Sequence, residues 1–287
     1  MWREYLFPRS IREALEVLNA HGGDARIIAG GTDLVLQRKQ GTCAASIAVD
    51  ISRIPNLDTI KASPNHILIG AMVTHGQVAA SPLIRDHAPV LAQACGKVGG
   101  PQTRNVGTLV GNVINGLPAA DSAIALTALD AEAEVTSTEG AEWQSVRSLY
   151  LGVGQTCVDS CAQIVTALRF RPLRSAQGNA YERLAKRRSL ILPILAVAAV
   201  AEVVDGRYGD VRIAMGPVAP IPFRAEAAEA LLRGRPIGKE AIGLAAIEAA
   251  EAAHPRDSVL RGSHEYRQAM VEVLTQRALA RATEAAG

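Results

Sequence analysis

The sequence predicts an α+β protein of two units, a larger one at 1–174 and a smaller one at 179–287. Three observations support this fold class. Short β-branched runs alternate with segments of helical periodicity through the first unit. A polar stretch rich in Ser, Gln and Gly at 172–178 indicates a linker. After the linker, strand patterns come before helix patterns, as in a small α+β domain.

The first unit begins with a helix whose start and end are both marked. Ser10 and Glu13 form a capping-box pattern ahead of it, and His21-Gly22-Gly23 ends it. Further helices are predicted at 33–39, 76–80, 91–98 and 121–129. Strands are predicted at 26–29, 45–51, 66–69, 131–136 and 163–169, with a turn at 139–140 and a loop at 150–154. Asp33 is expected to accept backbone N–H groups at the start of its helix.

The second unit begins with a basic strand or turn at 180–188 and a long apolar element at 190–204. Asp205-Gly206 predicts a hairpin turn before a strand at 211–215. Helical periodicity predicts three closing helices, at 225–232, 239–253 and 265–285. Asp257 and Arg261 are expected to tie the C-terminal helices together.

Composition excludes several classes of protein. The 287 residues are 48% hydrophobic, enough for a real core. Net charge is +2 and aromatic content is 3%, without a basic tract, so no nucleic-acid partner is expected. No apolar run reaches the roughly 18 residues of a membrane span. The N-terminus is charged where a signal peptide would be apolar, and we expect a cytoplasmic protein.

Isolated polar side chains give little sign of a metal or catalytic centre. The four cysteines are scattered, and Cys157-x-x-x-Cys161 lacks the further ligands that a metal site needs. His75 and His87 are interpreted as solvated loop histidines, since no acid or second histidine lies at ligand spacing. We therefore expect neither catalytic residues nor metal ligands in this chain.

Two glycine-rich loops carry the functional signal. The first, AGGTDL at 29–34, follows a buried β-branched run. Its glycines permit positive φ and close approach of another molecule, and its successive N–H groups can hold a phosphate. The second, GGPQTRNVGTLVGN at 99–112, leads to PAAD at 118–121 and is too rich in glycine to predict a helix. Neither loop matches the P-loop or the Rossmann fingerprint. Together they suggest a ligand held between distant segments.

The ordered set of motifs resembles the FAD-binding medium subunit of the molybdenum hydroxylases. That family includes xanthine dehydrogenase, carbon monoxide dehydrogenase and aromatic hydroxylases. The resemblance covers nearly the whole chain and rests on the two loops, DISRIPNL at 50–57, IGAMVT at 69–74, AMGPVAPIPFR at 214–224 and LRGSHEYR at 260–267. It implies a two-subdomain FAD-binding domain of the vanillyl-alcohol-oxidase/PCMH type, followed by an antiparallel sheet with a helix bundle.

The resemblance also implies the cofactor and the partners. FAD is expected on this chain, while molybdopterin and iron–sulfur clusters are expected only on partner subunits. A small iron–sulfur subunit and a large molybdopterin subunit would complete a dimer of heterotrimers. Electrons would pass from the iron–sulfur subunit to this FAD and then to an acceptor, which the resemblance leaves open among NAD+, quinone, ferredoxin and oxygen. The substrate would be oxidised on another subunit, and the 100–112 and 254–267 stretches favour a purine or other N-heterocycle.

Position by position, the resemblance implies a set of cofactor-binding residues. They are Arg26, Ile27, Ile28, Ala29, Gly30, Gly31, Thr32, Asp33, Leu34, Thr108, Leu109, Val110, Gly111, Asn112, Asp121, Ile164 and Arg183. Arg183 stands where relatives often carry a lysine near the ring system, and a cation there would favour the anionic reduced flavin.

Three positions depart from the family pattern and leave alternatives open. Val110 replaces a usual glycine, Arg183 replaces lysine, and Ile191 stands where many relatives have aspartate. A Cβ at Val110 could crowd the phosphates or require different backbone angles. The alternatives are a structural subunit with weakened FAD binding and a stand-alone flavin oxidoreductase of the same superfamily. Lys186-Arg187-Arg188 is either a solvated face or a contact with flavin or a partner.

Overall fold

A computed structural model describes residues 2–287. The chain opens with a parallel sheet of strand order β1-β3-β2, flanked by helices. Its elements are β1 (Glu4–Leu6), α1 (Ile11–His21), β2 (Ala25–Ile28), α2 (Leu34–Gln40) and β3 (Ile47–Asp50), with short 3-10 turns at Gly22–Asp24 and Ile51–Arg53. All three strands therefore point their carboxyl ends at one edge, the edge at which open parallel sheets bind ligands.

The helix caps differ in part from the predicted ones. Ser10 caps α1 by accepting the Glu13 N–H at 3.1 Å. The Glu13 carboxylate accepts the N–H of Arg9 at 2.7 Å rather than that of Ser10, so the capping box is displaced by one residue. The predicted carboxylate cap at Asp33 is wrong. Asp33 has right-handed backbone angles at the N-cap of α2, and its side chain makes no capping hydrogen bond.

A second sheet and a group of short helices complete the first unit. After β4 (Ile60–Ala62) and β5 (Ile67–Gly70) come six helices: α3 (His75–Ala80), α4 (Pro82–His87), α5 (Pro89–Lys97), α6 (Pro101–Arg104), α7 (Leu109–Ile114) and α8 (Asp121–Ala128). Then follow β6 (Glu132–Ser137), β7 (Gly140–Ser145), α9 (Val146–Leu149), β8 (Tyr150–Gly152), β9 (Gln155–Thr156) and β10 (Ile164–Phe170). The antiparallel sheet has the order β4-β5-β10-β6-β7.

Two predictions in this region were wrong. The stretch at 99–112 contains α6 and α7 despite its glycines, because Pro101 begins one helix and Thr108 caps the other. Thr108 Oγ1 accepts the N–H of Gly111 at 3.1 Å. The predicted loop at 150–154 instead contains β8, which pairs antiparallel with β9.

The C-terminal part is a four-stranded antiparallel sheet of order β11-β12-β13-β14 with three helices. Its strands are β11 (Gln177–Leu184), β12 (Leu195–Val204), β13 (Arg207–Gly216) and β14 (Phe223–Arg224), and its helices are α10 (Glu226–Leu232), α11 (Lys239–Glu251) and α12 (His264–Ala286). The hairpin at Asp205-Gly206 is confirmed, with φ of 50° and 69°. The apolar element predicted at 190–204 is a strand only from Leu195 onward.

The burial of strand β12 explains why the 190–204 segment is apolar without interruption over most of its length. Ala196, Ala198 and Val200 pack into the core of the first unit. The alternate residues Val197 and Ala199 pack into the second core, with helices α10 to α12. A strand buried on both faces has no polar alternation. Across residues 2–287, no helix has the length and apolar content needed to cross a bilayer.

Candidate functional site

A cleft of about 740 Å³ lies where the first sheet meets the second. Its walls come from the loop after β2, the start of α7 and the start of β10, together with Leu192. This volume is in the range of small-molecule and cofactor pockets, roughly 300–1,000 Å³. The carboxyl end of β2 opens onto the cleft, as expected for a parallel sheet.

The two glycine loops pack directly on each other at this cleft. A Cβ built on Gly30 would lie 2.0 Å from the carbonyl oxygen of Val106. One built on Gly107 would lie 3.4 Å from Thr32 Oγ1. Glycine at position 30 is therefore required by the second loop, whereas the sequence had suggested approach by a ligand.

The first loop presents a run of unpaired backbone donors. Among the described residues, no acceptor receives the N–H groups of Gly30, Gly31, Thr32 and Asp33. Gly31 has a left-handed φ of 66°, which turns the chain at the middle of this run. All four residues line the cleft. Successive N–H groups in such a turn form a concave site for an anion.

The second loop adds donors from the opposite wall. Asn112 accepts a hydrogen bond from Ser122 Oγ at its Oδ1, at 2.6 Å. Its amide nitrogen then remains a donor on a residue that lines the cleft. The backbone N–H groups of Thr108 and Val110 have no acceptor among residues 2–287. Hydrogen bonds from His75 N to Gly107 O and from Leu109 N to Val73 O, each 3.0 Å, fix this loop to its neighbours.

The cleft brings together all but three of the residues predicted to bind the cofactor. Leu109 is fully buried in the core, Asp121 lies beside a smaller neighbouring cavity, and Arg183 lines neither. Val110 lies on the cleft wall within α7, outside the positive-φ region, so its Cβ demands no unusual backbone. The exposed run Lys186-Arg187-Arg188 does not line the cleft.

Asp121 and Arg183 form a buried pair behind the cleft. Arg183 Nε donates to Asp121 Oδ1 at 2.6 Å, and its Nη2 donates to Ile191 O at 2.6 Å. Tyr181 Oη donates to the same carboxylate oxygen at 2.7 Å. Burial raises the pKa of Asp121, and the hydrogen bonds from Tyr181 and Arg183 oppose that rise. Asp121 compensates the charge of Arg183, and Arg183 does not line the cleft, so its attraction for an anionic reduced flavin is weaker than the resemblance implied.

His75 is a cleft residue that the sequence interpretation missed. It was predicted to be an exposed loop histidine, but it is 2% exposed and lines the cleft. Thr74 and Gln77 form a capping box that starts α3 at His75, and His75 is buried at the first position of this helix. That T-x-x-Q pattern was visible in the sequence. His87 is exposed, as predicted.

The environment of His75 keeps its ring neutral. Burial, together with the nearby Arg104 guanidinium, lowers the pKa of His75 to about 4. Its Nδ1 is buried and has no hydrogen-bond partner among the described residues. A neutral imidazole on the cleft wall adds a polar group without adding charge.

The pH dependence of stability gives a test of this placement. Between pH 6.5 and about 4, the unfolded chain binds a proton at His75 that the folded chain does not. Stability is therefore lost as pH falls through this window, by roughly 3 kcal/mol in total. His75→Asn should remove that loss when urea midpoints at pH 7 and pH 4.5 are compared. His87→Asn is the exposed control, and equal acid sensitivity of wild type and His75→Asn would contradict the burial.

Further cleft residues were also missed by sequence reasoning. They are Gln37, Thr42, Cys43, Asn115, Val158, Ser160 and Gln163. Gln37 Nε2 donates to Asn115 Oδ1 at 3.2 Å, which joins α2 to the end of α7 across the cleft. Within residues 2–287, no group of three or more His, Cys, Asp or Glu side chains could hold a metal ion.

Family models match nearly the whole chain. One, described as the FAD binding domain in molybdopterin dehydrogenase, matches residues 2–171. The other, described as the CO dehydrogenase flavoprotein C-terminal domain, matches residues 179–282. The chain belongs to the FAD-binding medium-subunit family of the molybdenum hydroxylases. It is thus an oxidoreductase component with an FAD-binding domain, and the molybdenum and iron–sulfur cofactors of the family lie on other subunits.

Individual relatives match this chain over most of their length. The carbon monoxide dehydrogenase medium chain of Hydrogenophaga pseudoflava is 30% identical over 96% of this chain and 95% of that protein. The xanthine dehydrogenase FAD-binding subunit of Escherichia coli O157:H7 is 28% identical over 97% and 95%, respectively. A chain in a solved H. pseudoflava carbon monoxide dehydrogenase matches with a TM-score of 0.94 and 31% identity, covering 99% of this chain and 98% of that one. These matches confirm the predicted fold class.

Proposed function

We propose that this medium subunit carries FAD in the cleft and serves as the electron-transfer component of a heterotrimer. The observation that carries the proposal is the run of unpaired N–H groups from Gly30 to Asp33, facing further donors at Thr108, Val110 and Asn112. FAD has two phosphates, which need several donors and no catalytic base. The donors that line the cleft therefore fit the two phosphates of FAD.

The remaining wall suits the rest of the cofactor. Ile28, Ile164, Val165 and Leu192 supply apolar surface to the cleft, and His75 and Gln163 supply polar groups. FAD contributes the capacity to accept and pass on electrons, while the protein binds, orients and tunes it. Asp121 directly follows the cleft residue Ala120, so its buried pair with Arg183 supports this part of the cleft wall from behind.

The family supports the wider proposal of partners and electron route. The related proteins are named as medium chains or FAD subunits of dehydrogenases, which indicates a complex with other chains. We propose that an iron–sulfur subunit delivers electrons to the FAD, that an external acceptor removes them, and that substrate is oxidised on a molybdenum subunit. The resemblance of the 100–112 and 254–267 stretches to the family favours a purine or other N-heterocycle. Relatives named for carbon monoxide and for xanthine are 30% and 28% identical, so identity does not select the substrate.

Binding of separate cofactor pieces tests the proposal. Flavin-free chain should bind FAD at a one-to-one ratio and acquire a yellow flavin spectrum. FMN, which lacks the second phosphate and the adenosine half, should bind about a hundredfold more weakly, or about 2.7 kcal/mol. Equal affinity for FAD and FMN would contradict the role given to the paired loops. Substrate turnover by the FAD-loaded chain alone would instead support a stand-alone flavin oxidoreductase.

Val110 separates this proposal from that of a subunit with weakened FAD binding. If the valine side chain crowds the phosphates, Val110→Gly should raise FAD affinity. Since Val110 is buried in α7, we expect no gain in affinity and a loss of about 2–3 kcal/mol in the free energy of unfolding. Fluorescence titration and urea unfolding measure the two quantities. A clear rise in FAD affinity would favour weakened binding in the wild type.

A further inference from the structure

An exposed apolar tip lies on the loop between α11 and α12. Val259 is 100% exposed and Leu260 is 77% exposed. Both lie in a tight turn that is closed by hydrogen bonds from Ser258 N to Gly262 O at 3.0 Å and from Gly262 N to Ser258 O at 2.8 Å. The turn therefore holds two aliphatic side chains in water, where each loses the stabilisation that burial would give.

The base of this loop is fixed to the body of the protein. Asp257 Oδ1 accepts the N–H of His264 at 2.7 Å, at the start of α12. Arg267 Nη1 donates to Arg256 O at 2.6 Å, and its Nη2 donates to the carbonyl of Pro217. The exposed tip is thus presented by a tethered loop.

The sequence predicted that Asp257 and Arg261 tie the C-terminal helices together. The tie is made by Asp257 and Arg267, and Arg261 has no carboxylate within ion-pair distance in the described chain.

Three arginines surround the tip without a carboxylate partner. Arg256 is exposed, Arg261 is half-buried, and Arg267 is only 2% exposed. No acidic side chain of residues 2–287 lies within 4.0 Å of their guanidinium nitrogens. Burial and the neighbouring cations lower the pKa of both Arg261 and Arg267. The nearby acids do not neutralise these arginines. The Asp257 carboxylate accepts the N–H of His264, and Glu265 is exposed beside Ser263.

Buried arginines elsewhere in the chain show the contrast. Arg183 pairs with Asp121 at 2.6 Å, Arg224 with Glu229 at 2.6 Å, and Arg212 with Asp210 at 3.1 Å. Arg267 is more buried than any of these residues and has only carbonyl acceptors, and its Nε has no partner among the described residues. An unneutralised buried cation is costly, and a nearby anion lowers that cost.

We propose that the 256–261 loop is an interaction surface for an acidic, apolar-centred segment of a partner subunit. Val259 and Leu260 enter the apolar centre of the interface, and Arg256 and Arg261 bind its carboxylates at the rim. Arg267 adds positive potential behind them. Protein interfaces commonly have an apolar centre, and they are enriched in arginine relative to the rest of the protein surface. The inference rests on the proposed function, because it requires the other subunits of the complex.

Two double variants and one matched control test the proposal. Val259→Asp/Leu260→Asp and Arg256→Glu/Arg261→Glu should each weaken assembly with the iron–sulfur and molybdenum subunits by about a hundredfold or more. FAD content and melting temperature of the isolated variant chains should match wild type. Val204→Asp/Arg233→Glu is the matched control, because it makes the same kinds of substitution at exposed residues of a different site. Val204 is 50% exposed, and Arg233 is exposed. It should leave assembly unchanged.

The outcomes separate this inference from the proposed function. Wild-type affinity for the partners should fall with salt, and Arg256→Gln/Arg261→Gln should reduce that salt dependence without unfolding the chain. Assembly of both double variants at wild-type affinity would overturn the inference, even if FAD binds. Loss of a homodimer by the same variants, seen by light scattering of the isolated chain, would assign the surface to a second copy and also overturn it. Failure of the wild-type chain to bind FAD would instead count against the proposed function.

Discussion

Replacing Gly30 with alanine is expected to separate the two loops of the cleft and to raise the Kd for FAD about a hundredfold, equivalent to about 2.7 kcal/mol. The added Cβ would lie 2.0 Å from Val106 O and 2.7 Å from the carbonyl carbon of Val106. These are backbone atoms, so no side-chain rotation relieves the overlap. The loops must move apart, and overpacking of this kind also lowers the free energy of unfolding by about 1–3 kcal/mol.

Fluorescence titration and urea unfolding of Gly30→Ala measure both effects. Gly96→Ala in α5 is the matched control, because a Cβ there meets no atom within 4 Å. Alanine also has the better helix propensity, so the control should bind FAD normally and should not lose stability. Wild-type FAD affinity in Gly30→Ala would show that the loops do not need this contact.

Replacing Asp121 with alanine is expected to destabilise the protein by about 3–5 kcal/mol, because it leaves Arg183 buried without a counter-charge. The side chains of Arg183 and Asp121 are only 7% and 4% exposed, so water cannot take the place of the carboxylate. The hydroxyl of Tyr181 loses its acceptor in the same variant. The pair also joins α8 of the first unit to β11 of the second, so their packing should loosen together.

Calorimetry of three variants resolves this effect. Glu16→Ala breaks an exposed pair with Arg12, and its effect should stay below about 1 kcal/mol. The double variant Asp121→Leu/Arg183→Met removes both charges and should recover much of the loss. Equal stability of Asp121→Ala and Glu16→Ala would mean that the buried pair contributes nothing.

Local signals in the sequence were sufficient for much of the fold. The hairpin at Asp205-Gly206 and the helix capped by Ser10 depend on residues that are neighbours in the chain, so the sequence predicts them well. The glycine loop at 29–34 was identified as one wall of the cleft for the same reason, because its glycines and backbone donors are consecutive in the sequence.

Contacts between distant residues could not be read in the same way. The need for glycine at position 30 comes from Val106, and the compensation of Arg183 comes from Asp121. Helix α7 was missed because its glycine content was weighed without the cap at Thr108. The interpretation of His75 as a loop residue was the avoidable error, since the Thr74–Gln77 cap that places it at the start of α3 is a local pattern.

Amide hydrogen exchange at residue resolution, with and without FAD, is the most direct test of the proposed cleft. The N–H groups of Gly30, Gly31, Thr32 and Asp33 have no acceptor among the described residues, so without FAD they should exchange quickly. Bound FAD should slow their exchange, together with that of Thr108 and Val110, while amides of the exposed 256–261 loop stay unchanged. FAD binding that leaves all six of these cleft amides unprotected would contradict the account.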